Sequence, residues 1–258
     1  MKRMHELVRQ HPRYGYRFIW ASLRQEGWRV NRKRIYRLWR QEHLKVPQKQ
    51  QKKRSLGSSE NGILRRKAEQ KDDVWCWDFI HDSDERGRPL KCLSIVDEFT
   101  RECLVLEMER SITARDVIDL LAELFIIRGV PKHIRSDNGP EFIAKAVRQF
   151  LAESNVQTLF IEPGSPWENG YAESFGSRFR DELLDRELFT SVQEAKVVCE
   201  DHRLDYNHHR PHSSLGYMTP AEFAASCVVG RSDDASLAGP PAQPATTTTP
   251  RTLIQPGT

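Results

Sequence analysis

Between Val74 and Leu184 the sequence passes through eight segments whose hydrophobic period switches between two and about 3.6, and this order limits the fold more than any other feature. Val74–Ile80 (VWCWDFI), Leu90–Asp97 (LKCLSIVD) and Glu102–Met108 (ECLVLEM) are short aromatic and β-branched runs separated by turn residues, which predicts three strands in a meander. Ser111 or Thr113 can cap a helix through Asp116–Arg128, and Gly129 with Pro131 ends it. A short strand is expected at His133–Ser136, a helix from Pro140 to Ser154 and a fifth strand at Val156–Ile161. After a loop at Glu162–Trp167, Asn169–Leu184 reads as a helix with Phe175, Phe179 and Leu183 on one stripe. The order β-β-β-α-β-α-β-α predicts a mixed α/β sheet with helices on both faces.

Three carboxylates fall at telling places in that order. Asp78 lies in the first strand, Asp137 at the end of the fourth and Glu173 in the helix after the fifth. If the first and fourth strands are neighbours, the two aspartates stand side by side. Phosphoryl transfer by two divalent ions, about 3.5–4 Å apart, needs such a cluster to activate one oxygen and stabilise another. Taken singly, each residue has a plainer reading: a strand-edge charge, an Asp-Asn-Gly turn, a solvated helix position. Their joint placement favours a metal site, with Asp82, Asp97, Glu141 and Glu168 as rival ligands.

Charge divides the chain after Asp72. Residues 1–72 carry 21 Lys and Arg against 6 Asp and Glu, a net +15, while the remainder is net −11. A block this basic, interleaved with Tyr14, Tyr16, Phe18, Trp20, Trp28, Tyr36 and Trp39, points to a phosphate backbone as partner. Within it, Tyr16–Glu26 predicts a helix with Tyr16, Ile19, Trp20 and Leu23 inward, stopped by Gly27. A second helix opens at the N-cap residue Asn31 and runs to about His43, with Ile35, Leu38 and Trp39 inward. Arg32, Lys33, Arg34, Arg37 and Arg40 then face outward as candidate DNA contacts. This is a helix-turn-helix pattern over residues 1–46. Residues 47–72 lose the periodicity and read as a basic linker, whose Lys52, Lys53 and Arg54 join the candidate contacts. From Arg231 onward five prolines and a Thr run predict a disordered tail, placed over residues 229–258, which leaves 73–228 as the folded core.

No apolar run approaches the roughly 18 residues of a membrane span. The five cysteines include no C-x-x-C pair, so neither a disulfide framework nor a zinc ribbon fits, and a reducing cytoplasm is expected.

The segments WCWDFIHD (75–82), SIVDEFTRECLVLE (94–107), IRSDNGPEF (134–142), PGSPWENGYAESF (163–175) and LDYNHHRPHSSLGYMTPAEF (204–223) resemble bacterial insertion-sequence transposases with a retroviral-integrase-like DDE core. Thirty-five residues separate Asp137 from Glu173, the spacing of that family, and residues 14–44 resemble its preceding helix-turn-helix. The resemblance implies a ribonuclease H-like catalytic core, an Asp78, Asp137, Glu173 triad binding two Mg²⁺ or Mn²⁺ ions, nicking of element ends, and attack of the freed 3′-OH on target DNA. It implies self-association in a synaptic complex and a possible fusion to an upstream-frame protein, in a nucleoid-associated setting. His5, His11 and His43 lack partnering cysteines, so no zinc is expected. The Tyr206–His212 segment also matches. For Arg210 within it, a cationic clamp on DNA phosphates and a satisfied helix-terminal turn both stay open. Two alternatives remain beside the transposase: a non-catalytic DNA-binding regulator and a ribonuclease H-like nuclease.

Overall fold

The computed structural model describes residues 1–47, 66–136, 139, 144–161 and 169–233, with side chains as far as residue 227. Helices α1 (Lys2–Gln10), α2 (Tyr16–Gln25) and α3 (Arg32–Gln41) close around Met4, Leu7, Tyr14, Ile19, Leu23, Ile35 and Trp39. Asn31 caps α3 by accepting the Lys33 N–H at 2.8 Å. Gly27, at φ 87°, makes the turn between α2 and α3, a conformation open to a residue without Cβ. The sequence pattern found α2 and α3 but not α1, whose stripe is only two residues deep (Met4, Leu7).

The sheet runs β3-β2-β1-β4-β5. Strands β1 (Val74–Ser83), β2 (Pro89–Asp97) and β3 (Cys103–Glu109) form the antiparallel meander, and β4 (His133–Ser136) and β5 (Gln157–Phe160) add in parallel. β1 and β4 are neighbours, with Cys76 opposite Arg135. Helix α4 (Ala114–Arg128) has a capping box between Thr113 and Asp116. With α5 (Lys145–Glu153) it covers the face carrying Trp75, Trp77 and Ile134. The opposite face, carrying Cys76 and Ile80, is covered by α6 (Gly170–Phe179) and α7 (Val192–His208) through Phe175, Phe179, Cys199 and Tyr206.

Three further features depart from expectation. The helix after β5 changes after Phe179 into a π turn, Arg180–Leu184, in which the Asp185 N–H reaches the Arg180 carbonyl at 2.8 Å. α7 was unassigned in the sequence because Val197 and Leu204 are exposed on it and blur the stripe. The last helix, α8 (Pro220–Asp233), continues past Arg231, so the disordered tail does not begin at residue 229 or at Arg231; residues 234–258 lie outside the described residues.

Asn207 ties α7 to β3. Its side chain accepts from Cys103 N–H and donates to Cys103 carbonyl, both at 2.8 Å and both buried. Asn207→Ala strands the buried Cys103 N–H and leaves the Cys103 carbonyl with only the 3.3 Å bond from Arg203 Nη1, so urea unfolding should report a loss of about 1–3 kcal/mol. A loss below about 0.5 kcal/mol would mean that the pair is not needed.

Candidate active site

Asp78 sits mid-strand in β1, half-buried, opposite Ser94, whose hydroxyl donates to the Asp78 carbonyl at 3.2 Å. Strand alternation puts it on the face of Cys76 and Ile80, the one that α6 crosses. Two contacts fix that crossing. Asn169, 4% exposed at the N-terminus of α6, donates from Nδ2 to the Trp77 carbonyl at 3.3 Å. Further along, a Cβ on Gly176 would stand 3.3 Å from Ile80 Cδ1, so the absence of a side chain permits the close approach. Positions 169, 173 and 176 form one row of a helix. Glu173, which is exposed, therefore lies between the two contacts on α6, and Asp78 lies between them on β1.

Asp137 follows Ser136, the last residue of β4, and lies outside the described residues, as do Glu141 and Glu168. Among the described residues no three His, Cys, Asp or Glu side chains form a metal-sized group. Asp78 and Glu173 do offer hard carboxylate oxygens, the donor type that Mg²⁺ and Mn²⁺ prefer. Asp97 is not placed as a rival. It pairs opposite Trp75, toward the other end of β1. Its oxygens accept the N–H groups of Asp72, Phe99 and Thr100 at 2.7–3.0 Å, and burial raises its carboxyl to about 6. Asp82 is half-buried near the β1–β2 hairpin and accepts its own neighbour's N–H, from Ser83.

Arg32, Lys33, Arg34, Arg37 and Arg40 are all exposed on α3. Lys52, Lys53 and Arg54 lie outside the described residues. Arg210 behaves differently. It is 5% exposed, and its Nε donates to Glu182 at 2.8 Å while its Nη2 donates to the other carboxylate oxygen. The rings of Tyr14, Phe18 and Tyr206 surround the guanidinium at 5.1–5.7 Å. A cation so enclosed is already neutralised, which corrects the expectation of a phosphate clamp in favour of an internal role. The sequence did not single out Glu182. Its signal was an acidic pair, Asp181-Glu182, two turns beyond Glu173 on the same helix.

An HTH-like domain family model matches residues 1–52, and two Integrase core domain models match residues 68–166 and 154–220. The "Insertion element IS407 uncharacterized 31.7 kDa protein" of Burkholderia multivorans is 38% identical over 86% of this chain and 79% of its own length. A second relative, the "Insertion element IS476 uncharacterized 39.2 kDa protein" of Xanthomonas euvesicatoria, is 40% identical over 87% of this chain, which spans 64% of that protein's length. The InsD transposase of insertion element IS2 in Escherichia coli is 29% identical over 86% of this chain and 76% of its own. The fold is similar to the simian T-cell lymphotropic virus intasome solved with the PP2A regulatory subunit B56 gamma (TM-score 0.51, 18% identity, 71% of this chain and 63% of that one). It is also similar to the magnesium-bound HTLV-2 integrase catalytic core domain in trimeric form (TM-score 0.50, 16% identity, 61% and 99%). The chain belongs to the insertion-element transposase family, with an integrase core of ribonuclease H-like fold behind an HTH-like domain.

His212 supplies a pH test of the Arg210 environment. Burial, then the charges of Arg210, Arg178 and Arg101, push its imidazole down to about 2. A folded-state value below the unfolded 6.5 gives stability that is present above pH 6.5 and lost as pH falls through the acid range. NMR should find the His212 ring neutral down to about pH 4. Titration near its ordinary value would contradict the buried, cation-lined setting.

Proposed function

We propose that the chain is a DDE transposase that cleaves the ends of an insertion element and joins them to target DNA. The crossing of α6 over β1 supports this reading: Asn169 and Gly176, on the helix row of Glu173, meet Trp77 and Ile80, which flank Asp78 on the strand. The β1–β4 pairing supports the third residue: Cys76 lies opposite Arg135, and Asp137 follows Arg135 by two positions in the sequence as Asp78 follows Cys76. Asp78, Asp137 and Glu173 would hold two Mg²⁺ or Mn²⁺ ions, which supply activation of the attacking oxygen and charge stabilisation at phosphorus. The chain's own residues do the positioning. β1 fixes Asp78 from within the sheet, and α6 carries Glu173 on a helix anchored at both ends of the crossing.

In this reading residues 1–46 bind DNA, 47–72 form a basic linker and the catalytic unit begins at residue 73. Arg32, Lys33, Arg34, Arg37 and Arg40, with Lys52, Lys53 and Arg54, contact phosphates or groove edges, because the net +15 of the first 72 residues faces an acidic body. The protein acts as a synaptic assembly of several copies, in the bacterial cytoplasm at the nucleoid, alone or joined to an upstream-frame protein. Among the described residues no helix is long and apolar enough to cross a membrane.

Single-turnover cleavage and strand transfer on labelled element ends test the chemistry. Asp78→Asn, Asp137→Asn and Glu173→Gln should each abolish both steps, leave DNA affinity nearly unchanged and remove any rise of melting temperature with Mg²⁺. Glu141→Gln and Glu168→Gln should retain activity. Loss in Glu168→Gln with activity kept in Glu173→Gln would move the third ligand. Cleavage without joining would indicate a nuclease, and DNA retardation without products a regulator.

The basic helix gives a separate expectation. Arg32→Ala, Arg34→Ala and Arg37→Ala should weaken binding across sequences and flatten the salt dependence by about 0.9 in log–log slope per lost phosphate contact. An unchanged slope in gel retardation would remove α3 from the DNA surface.

A further inference from the structure

The Tyr206–Tyr217 segment touches three parts of the molecule that are far apart in sequence. Asn207 holds β3 through Cys103. Arg210 is paired with Glu182 in the π turn that directly continues α6. Tyr14 and Phe18, at the entry to α2, cover the same guanidinium, and Tyr14 is 4% exposed. Beside this, Arg13 bridges to Asp181, the neighbour of Glu182, at 3.1 Å. Tyr217 presents its ring to the edges of Phe18 and Trp20, with centroids 6.1 and 5.7 Å away and planes near perpendicular. It does so at φ 71°, a conformation unfavourable to a residue with a Cβ. The Tyr217 N–H donates to the His212 carbonyl at 2.8 Å, which holds the turn.

We propose that residues 206–217 form a latch that holds the HTH-like helices on the catalytic sheet in one orientation, with Arg210 as its positioning residue. A purely apolar interface tolerates sliding. A two-bond guanidinium–carboxylate pair roofed by rings has one geometry, so it can fix an orientation whatever it contributes to stability. The π turn matters because it places consecutive acidic residues, Asp181 toward Arg13 and Glu182 toward Arg210, at the end of the helix that carries Glu173. The helical unit is thereby tied to the same rigid element as the candidate catalytic glutamate. Granted the function proposed above, DNA gripped by α3 is presented at a set distance from Glu173, so the latch acts on where the strand lies and not on how tightly it is held.

The test uses the full chain with Arg24→Cys on α2 and Val197→Cys on α7, both exposed, in a Cys227→Ser background because the other four cysteines are buried. Dyes at these two positions report the separation of the two units by single-molecule energy transfer. The parent should give one narrow peak. Tyr217→Gly combined with Arg13→Ala should broaden it; glycine suits the φ at 217, so the core keeps its melting temperature. Arg210→Lys, which keeps the charge but not the fork, should broaden it too. If that variant fails to fold, the Tyr217→Gly/Arg13→Ala pair decides. A broad peak in the parent, or an unbroadened one in the pair, overturns the latch. On element ends the pair should retain DNA affinity while single-turnover cleavage falls roughly tenfold or more; unchanged cleavage overturns the positioning role. If the parent itself cleaves nothing, the transposase reading fails, and the peak width still decides whether the latch exists.

Discussion

The close passage of α6 across β1 is the constraint on which the rest of the structure depends. Gly176 allows the helix to settle against Ile80, and Asn169 secures its first turn to the Trp77 carbonyl. A Cβ at 176 would press on the tip of Ile80, and a bulkier side chain would push further into the packing of Phe175 and Phe179 against Cys199 and Tyr206. In the function proposed above, the same crossing would set the spacing between Asp78 and Glu173, so one contact surface would serve both packing and chemistry.

Charge is handled in two ways. At the surface of α3 the arginines face solvent, where a cation costs little and can meet a polyanion. Inside, each cation meets at least one carboxylate. Arg135, 5% exposed, donates to Glu98 at 2.7 Å; Arg210 pairs with Glu182; and Arg128 bridges Asp72 and Glu102. A buried guanidinium without such a partner would be strongly destabilising. The motif residues Tyr206, Asn207, Arg210 and His212 are buried while His208 and His209 are exposed, so one short segment contributes to the core on one side and faces water on the other.

Much of the sheet was legible because its strands are short, strongly β-branched or aromatic, and punctuated by Gly and Pro. His133–Ser136 matches its prediction residue for residue, and Thr113 caps α4 as a Ser/Thr signal allows. α1 and α7 were not legible. α1 is one-sided but only nine residues long, with no capping side chain and two buried residues, Met4 and Leu7, whereas α7 mixes buried Cys199 and Tyr206 with exposed Val197 and Leu204 and shows no clean period. The π turn has no sequence signature of its own, since one extra residue in a helical ladder is chosen by what its side chains meet.

From the sequence by itself came the mixed α/β class, the order of strands and helices, the separation into a basic arm and an acidic body, and the candidate carboxylates, because periodicity, caps and charge are local properties. Only the tertiary structure decided which face of β1 meets α6, that Asp97 is consumed by main-chain N–H groups, and that Arg210 turns inward to Glu182 and the rings of Tyr14, Phe18 and Tyr206. The inward turn of Arg210 joins it to Glu182 and Tyr14, 28 and 196 positions away, and the capture of Asp97 combines local donors, Phe99 and Thr100, with the distant Asp72. An arginine carries the same charge wherever it stands in a sequence, and whether it meets a phosphate or a buried carboxylate is settled only when the chain has folded around it.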